Sequence, residues 1–221
     1  MNEGARCAGA SAVSEDTRDK LLAGALATLV EHGITKASAR TIAAAAGVNQ
    51  ALVFYHFGTV DELLAAACRR GAEQRVALYR ERLGRVRTLA ELLELARDLH
   101  AAERDGGHGA VLGQLLAGAQ TQPRLAPATG AGLALWTDEI EKVLGRVLSG
   151  NPIAELIDVD GLAKAVSAAF VGLELYAGVD PDGATRAFAA LEQLAGLVAV
   201  LDDLGPIAQR AVRAALARQR R

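Results

Sequence analysis

Residues 38–57, SARTIAAAAGVNQALVFYHF, constrain the fold of this chain more than any other stretch. Ser38 can cap a helix, because its hydroxyl can accept from an otherwise unpaired backbone N–H of the first turn. Ile42, Ala43 and Ala46 then share one face at helical spacing. Gly47 follows, where a residue without Cβ takes positive φ at no steric cost. Val48 is an apolar plug for the angle between two helices, and Asn49 is a second N-cap. Gln50 to His56 form a short helix with Leu52 and Val53 facing inward, which leaves Gln50, Ala51, Phe54, Tyr55 and His56 to project. Cap, apolar face, glycine turn, cap and aromatic-rich helix, in that order, predict a helix-turn-helix over 38–57. That layout is used to read duplex DNA.

The residue types suggest roles. A recognition helix enters the major groove with its N-terminal residues at the base edges. Gln50 is the best base reader, since its amide can pair bidentate with adenine N6 and N7. Ala51 is small enough for close approach or a thymine-methyl contact, and Phe54 can pack on such a methyl. Tyr55 and His56 offer polar atoms to phosphates. Arg40 and Thr41, at the start of the first helix of the pair, are phosphate candidates, and Thr59 adds a hydroxyl at a helix N-terminus. The caps Ser38 and Asn49 complete the expected DNA-binding set. Phe57 is expected in the core. The recognition helix carries neither Arg nor Lys, so guanine readout would need other residues.

At these residues the chain resembles the TetR family of transcriptional regulators. The resemblance rests on Gly33, Ser38, Ile42-Ala43, Ala46-Gly47-Val48, Phe54-Tyr55-His56-Phe57 and Val60-Asp61-Glu62-Leu63, and runs from about Thr17 to Leu64. Two positions depart from the family's pattern. Phe54 stands where the family has Tyr, with a Tyr moved one place to Tyr55, and Val60 stands where it has a phosphate-contacting Lys. The resemblance implies a ligand-responsive repressor that binds a palindromic operator as a homodimer. The other function class is a helical protein–protein interaction module that keeps the helix-turn-helix as a packing unit. The absence of a basic residue from the recognition helix speaks for that alternative.

The remaining chain reads as all-α. Residues 1–14 are rich in Gly, Ala and Ser and are expected to form a disordered tail. Residues 15–64 form the DNA-binding domain, and 65–221 a larger helical domain for effector binding and dimerisation. The first helix, about 17–32, carries Leu21, Leu22, Ala25, Leu26, Leu29 and Val30 as one stripe, and Gly33 stops it. Thr59 with Glu62, and Thr88 with Glu91, are capping boxes opening two further helices. Helices follow over 109–121, before Pro123, and from 133 to 147, after a break at 127–132. A loop is expected at 149–152, and a final basic helix after Gly205-Pro206. Residues 160–178 and 183–203 are apolar on nearly all sides, which marks buried helices. Ala165, Ala169 and Gly172 form a small-residue ridge there, with Ala190, Leu194 and Leu197 as a matching surface. A homodimer interface accounts for their burial, and the family's four-helix dimerisation bundle has the same place in chain order.

Hydrophobic residues make up 51% of the 221 and aromatics 4%, so the core is built from Ala, Leu and Val. The net charge of −2 gives no overall basic excess. Arg69, Arg70, Arg75, Arg80, Arg82, Arg85 and Arg87 crowd one predicted helix and read as a solvated face with Glu73 and Glu81 as partners. Cys7 and Cys68 offer neither a disulfide framework nor metal spacing. No apolar run approaches the roughly 18 residues of a membrane span, and no signal peptide opens the chain, so a cytoplasmic protein is expected. There is no phosphate loop, nucleophile elbow or metal-spaced histidine set, so neither an enzyme nor a cofactor protein is expected. The resemblance implies a small apolar or amphipathic effector held in the second domain. Its candidate contacts are Trp136, the only Trp, and the polar residues His100, Gln114, Glu174 and Tyr176 on otherwise apolar faces.

Overall fold

The computed structural model describes residues 4–106, 108–121, 123–149 and 157–202, and no strand occurs among them. The helices are α1 (Gly4–His32), α2 (Ala39–Ala46), α3 (Ala51–Phe57), α4 (Val60–Arg85), α5 (Leu89–Gly106), α6 (His108–Thr121), α7 (Ala126–Val147), α8 (Val159–Ala177) and α9 (Pro181–Asp202). Short 3-10 turns cover Ile34–Lys36 and Pro123–Leu125. No single helix among the described residues is long and apolar enough to cross a membrane.

Two elements begin more than five residues earlier than the sequence predicts. Helix α1 starts at Gly4 rather than near Thr17, because the alanine-rich segment before Glu15 lacks proline and extends the helix instead of forming a tail. Helix α7 starts at Ala126 rather than after Gly132. Pro127 does not break it, since in a first turn the missing N–H has no intrahelical partner to lose. Residues 150–152 of the expected loop, the expected C-terminal helix and the side chains of Cys7 and Leu197 lie outside the described ones.

The chain forms two compact units that do not follow the expected division at residue 64. Met1–Arg75 with Ala110–Leu133 make one, and Val76–Gly109 with Ala134–Arg221 the other. In the first unit the predicted stripe of α1 is the core. Leu21, Leu22, Ala25 and Leu29 pack with Ile42 and Ala43 of α2, Val53 and Phe57 of α3, Leu63 of α4, and Val111 and Leu115 of α6. Each fully buried leucine contributes on the order of 1.5–3 kcal/mol. Helices α1 and α2 approach closely at Gly24, where a Cβ would lie 2.9 Å from the backbone N of Ala46. The capping box predicted at Thr59 forms, with Glu62 N–H donating to Thr59 Oγ1 at 3.1 Å and Thr59 N–H to Glu62 Oε2 at 3.1 Å.

In the second unit Tyr79, Leu83, Leu92 and Leu95 pack with Val143, Leu144 and Ala163. Thr88 caps α5 as predicted, accepting from Glu91 N–H at 3.1 Å. Helices α8 and α9 are not buried all round within one chain. Ala163, Ser167, Ala184 and Phe188 face inward, while Ala165, Ala169, Gly172, Leu175, Ala190 and Leu194 are exposed.

Candidate nucleic-acid interface

The turn between α2 and α3 is built from local chemistry. Ser38 Oγ accepts from Thr41 N–H at 3.2 Å, and Thr41 Oγ1 accepts in return from Ser38 N–H at 2.9 Å. Helix α2 ends at Gly47 with φ 66°, the left-handed conformation its position predicts. Asn49 Oδ1 accepts from Ala51 N–H at 2.8 Å and so starts α3, as a capping side chain should. Gln50, expected as the first helical residue, itself takes the N-cap position, makes no side-chain capping hydrogen bond and stands exposed.

Helix α3 then has two unlike sides. Val53 is fully buried and Phe57 nearly so, and the Arg18 guanidinium lies over the Phe57 ring at 5.0 Å. Facing out are Gln50, Ala51, Phe54 and Tyr55, with Phe54 50% and Tyr55 79% exposed. His56 is half-buried, its ring edge-on to Tyr55 at 5.0 Å. Phe57 thus takes the core role and Phe54 does not, as the spacing predicts.

Three hydroxyls of the expected DNA-binding set, two of them phosphate candidates, are already engaged. Thr41 Oγ1 lies 2.8 Å from the Lys36 carbonyl, to which it can donate its single proton. Ser38 Oγ lies 2.9 Å from the same Thr41 oxygen. Thr59 Oγ1 donates to Glu62 Oε2 at 3.2 Å, and Asp61 and Glu62 place negative charge on the first turn of α4. That turn is unfavourable ground for a phosphate. Arg40 is exposed on the first turn of α2, and Lys36, also exposed, stands just before it. The sequence reading overlooked Lys36, although a cation two residues ahead of a helix cap was the available signal.

A comparison with known protein families falls on this same segment. The family described as bacterial regulatory proteins, tetR family, matches residues 21–67. That span runs from the buried stripe of α1 through the α2–α3 pair to the start of α4. An uncharacterized HTH-type transcriptional regulator of Mycobacterium tuberculosis (strain ATCC 25618 / H37Rv) is 29% identical over 115 residues, or 50% of this chain and 57% of that protein. The chain thus spans little more than half the length of the curated relatives it matches. A transcriptional regulator from Streptomyces coelicolor A3(2) superposes with a TM-score of 0.64 at 26% identity, covering 81% of this chain and 98% of that one. The multidrug binding protein EbrR complexed with proflavin gives 0.56 at 26% identity, covering 79% and 99%. A TetR-family regulator from Rhodococcus sp. gives 0.68 at 21% identity, covering 86% and 100%, a likeness of fold alone. Residues 21–67 are similar to the tetR-family regulatory domain, and the all-α architecture of the chain is the one these neighbours share.

The residues expected at an effector separate into distinct places. His100 of α5 and Glu174 of α8 come together, Nδ1 to Oε1 at 2.6 Å, with both side chains almost wholly buried and the Phe188 ring 5.2 Å from the imidazole. Trp136 packs against Tyr79 at 6.1 Å within the second core. Tyr176 is half-exposed and its hydroxyl donates to Asp180 at 3.2 Å. Gln114 is exposed in the first unit, where its Oε1 accepts from Ile34 N–H at 3.2 Å. An open groove of about 740 Å³ in the first unit is lined by Arg18, Leu22, Ala66, Arg69, Arg70 and Pro127 among others, and by none of these five residues.

Arginines of α4 form ion pairs on a solvated face, as expected. Arg70 forks onto Asp19 at 2.5 and 3.2 Å, Arg69 pairs with Glu73 at 3.4 Å, and Arg82 with Asp98. Burial pushes the Cys68 thiol from an ordinary 9.0 up to about 11, so it is a poor nucleophile at neutral pH. No group of His, Cys, Asp and Glu among the described residues could hold a metal ion.

Proposed function

We propose that this protein is a ligand-responsive repressor that binds a palindromic operator as a homodimer. The observation that carries the reading is the outward side of α3. Gln50, Ala51, Phe54 and Tyr55 stand exposed on a helix whose other side is locked by Val53 and Phe57. Two exposed aromatics beside an exposed amide suit base edges and thymine methyls. Arg40 and Lys36 supply the flanking phosphate charges that α3 itself lacks.

Gln50→Ala should relax base preference at one position of each half-site and cost about 1–3 kcal/mol per lost bidentate contact. Arg40→Ala should weaken all sequences alike and reduce the salt slope by about one charge per half-site. Binding isotherms on a selected duplex and its single-base variants, at several salt concentrations, separate the two roles. A change of base preference in Arg40→Ala would refute its phosphate assignment.

The dimer is supported by the outer side of α8 and α9. Ala165, Ala169, Gly172 and Leu175 recur at helical spacing and are exposed, with Ala190 and Leu194 on α9. Such a stripe is costly to leave in water and suits a second copy of the chain. Ala169→Arg should set an unpaired charge in that interface and yield monomers. Sedimentation showing dimers of undiminished stability would contradict this.

The effector reading is supported by the similarity to EbrR, which carries proflavin in its structure. A ligand represses or induces only through differential affinity for two states. It must therefore favour a dimer whose recognition helices no longer match the half-site spacing. Helix α4 is the natural lever, since it belongs to the reading head at its start and to the second unit at its end.

A further inference from the structure

Helix α6 meets the connector between α1 and α2 through Gln114. Gly33 takes φ 73°, and a Cβ on it would lie 2.7 Å from Gln114 Oε1. Gln114 can therefore reach the backbone only because residue 33 is glycine. Its Oε1 accepts the N–H of Ile34 at 3.2 Å. One turn further along α6, Ile34 Cδ1 lies at ordinary contact distance from Gly118, 3.5 Å from where a Cβ would stand.

From Ile34 a short relay runs to the DNA side. Ile34–Lys36 form a 3-10 turn, and Ala37 N–H donates back to the Ile34 carbonyl at 3.2 Å. The Lys36 carbonyl lies 2.8 Å from Thr41 Oγ1, the same oxygen that closes the capping box with Ser38. Arg40 sits inside that box, between Ser38 and Thr41.

We propose that Gln114 is a positioning residue of the reading head: it holds the Ile34–Lys36 turn, and through Thr41 and Ser38 it fixes the start of α2 and the placement of Lys36 and Arg40. The assignment rests on the DNA-binding reading for its consequence, but not for its geometry. Gln114 touches no base and acts only through the connector. The acceptor is what matters, so a carboxylate at 114 does the same work.

The test compares full-length Gln114→Ala and Gln114→Glu with the unaltered protein. Loss of one net hydrogen bond corresponds to roughly a 3- to 10-fold change in an equilibrium constant. Amide hydrogen exchange at Ile34 should accelerate by about that factor in Gln114→Ala and return to the original rate in Gln114→Glu. Affinity for a duplex selected with the unaltered protein should fall by about the same factor in Gln114→Ala only, with a thermal midpoint lowered by no more than a few degrees. Unchanged Ile34 exchange in Gln114→Ala overturns the latch, and accelerated exchange with undiminished affinity overturns its role in DNA reading. Failure of Gln114→Glu to restore either readout also overturns it, because a merely space-filling role would not distinguish an acceptor from a methyl. An unaltered protein that selects no duplex would instead sink the DNA-binding reading, while the exchange measurement still decides the latch.

Discussion

Gly24→Val is expected to destabilise the first unit by about 2–3 kcal/mol and to abolish sequence-selective DNA binding. An added Cβ would sit 2.9 Å from both Ala46 Cβ and Ala46 N, and 3.0 Å from the Ile42 carbonyl oxygen. Two of these three atoms are backbone, so no rotamer change relieves the contact and α2 itself must shift. Helix α2 carries Ile42 and Ala43 into the core and leads through Gly47 to α3. A shift there re-aims Gln50 and Arg40 together. Gly145→Ala is the control. It lies in α7 with nothing within 4 Å of an added Cβ, and removing a helical glycine should stabilise by roughly 0.5–1 kcal/mol. Urea unfolding of both variants checks the pair. Wild-type stability in Gly24→Val would show that the α1–α2 approach is looser than described.

His100→Ala is expected to cost the second unit about 3–5 kcal/mol. It would leave the Glu174 carboxylate, 7% exposed, without its partner at 2.6 Å. Removing one side of a buried pair costs more than the pair contributes, since the other group stays buried. His100→Leu with Glu174→Leu should therefore recover most of the loss. A double-mutant cycle by chemical denaturation measures this. A loss below about 1 kcal/mol for His100→Ala would mean that water replaces the imidazole. If this pair instead serves an effector, the double variant should keep its fold and lose induction.

The sequence revealed what depends on neighbours along the chain. Ser38, Gly47, Asn49, Thr59 and Thr88 were legible because a cap or a left-handed turn needs only a few consecutive residues. The stripe of α1 was legible because helical spacing exposes it. What failed depended on distance. His100 and Glu174 could each be flagged as polar on an apolar face, but nothing in the sequence says that two residues 74 positions apart meet. Gln114 carried the same flag, yet its partner is a backbone amide 80 positions away. Gly24 was overlooked, although an isolated glycine in a leucine-rich stripe was the signal of a close helix approach. Thr41 and Thr59 were given to phosphates because residue type shows a hydroxyl, while only the folded turn shows where its proton goes.

The central claim is that the outward side of α3 reads DNA sequence. Selection in vitro from sheared genomic DNA of the source organism, at moderate salt and with the full-length protein, tests it most directly. The account predicts enrichment of fragments sharing two half-sites related by dyad symmetry, and a Gln50→Ala selection that loses preference at one position of each half-site. No enrichment over the input, or an identical motif selected by Gln50→Ala, would contradict it.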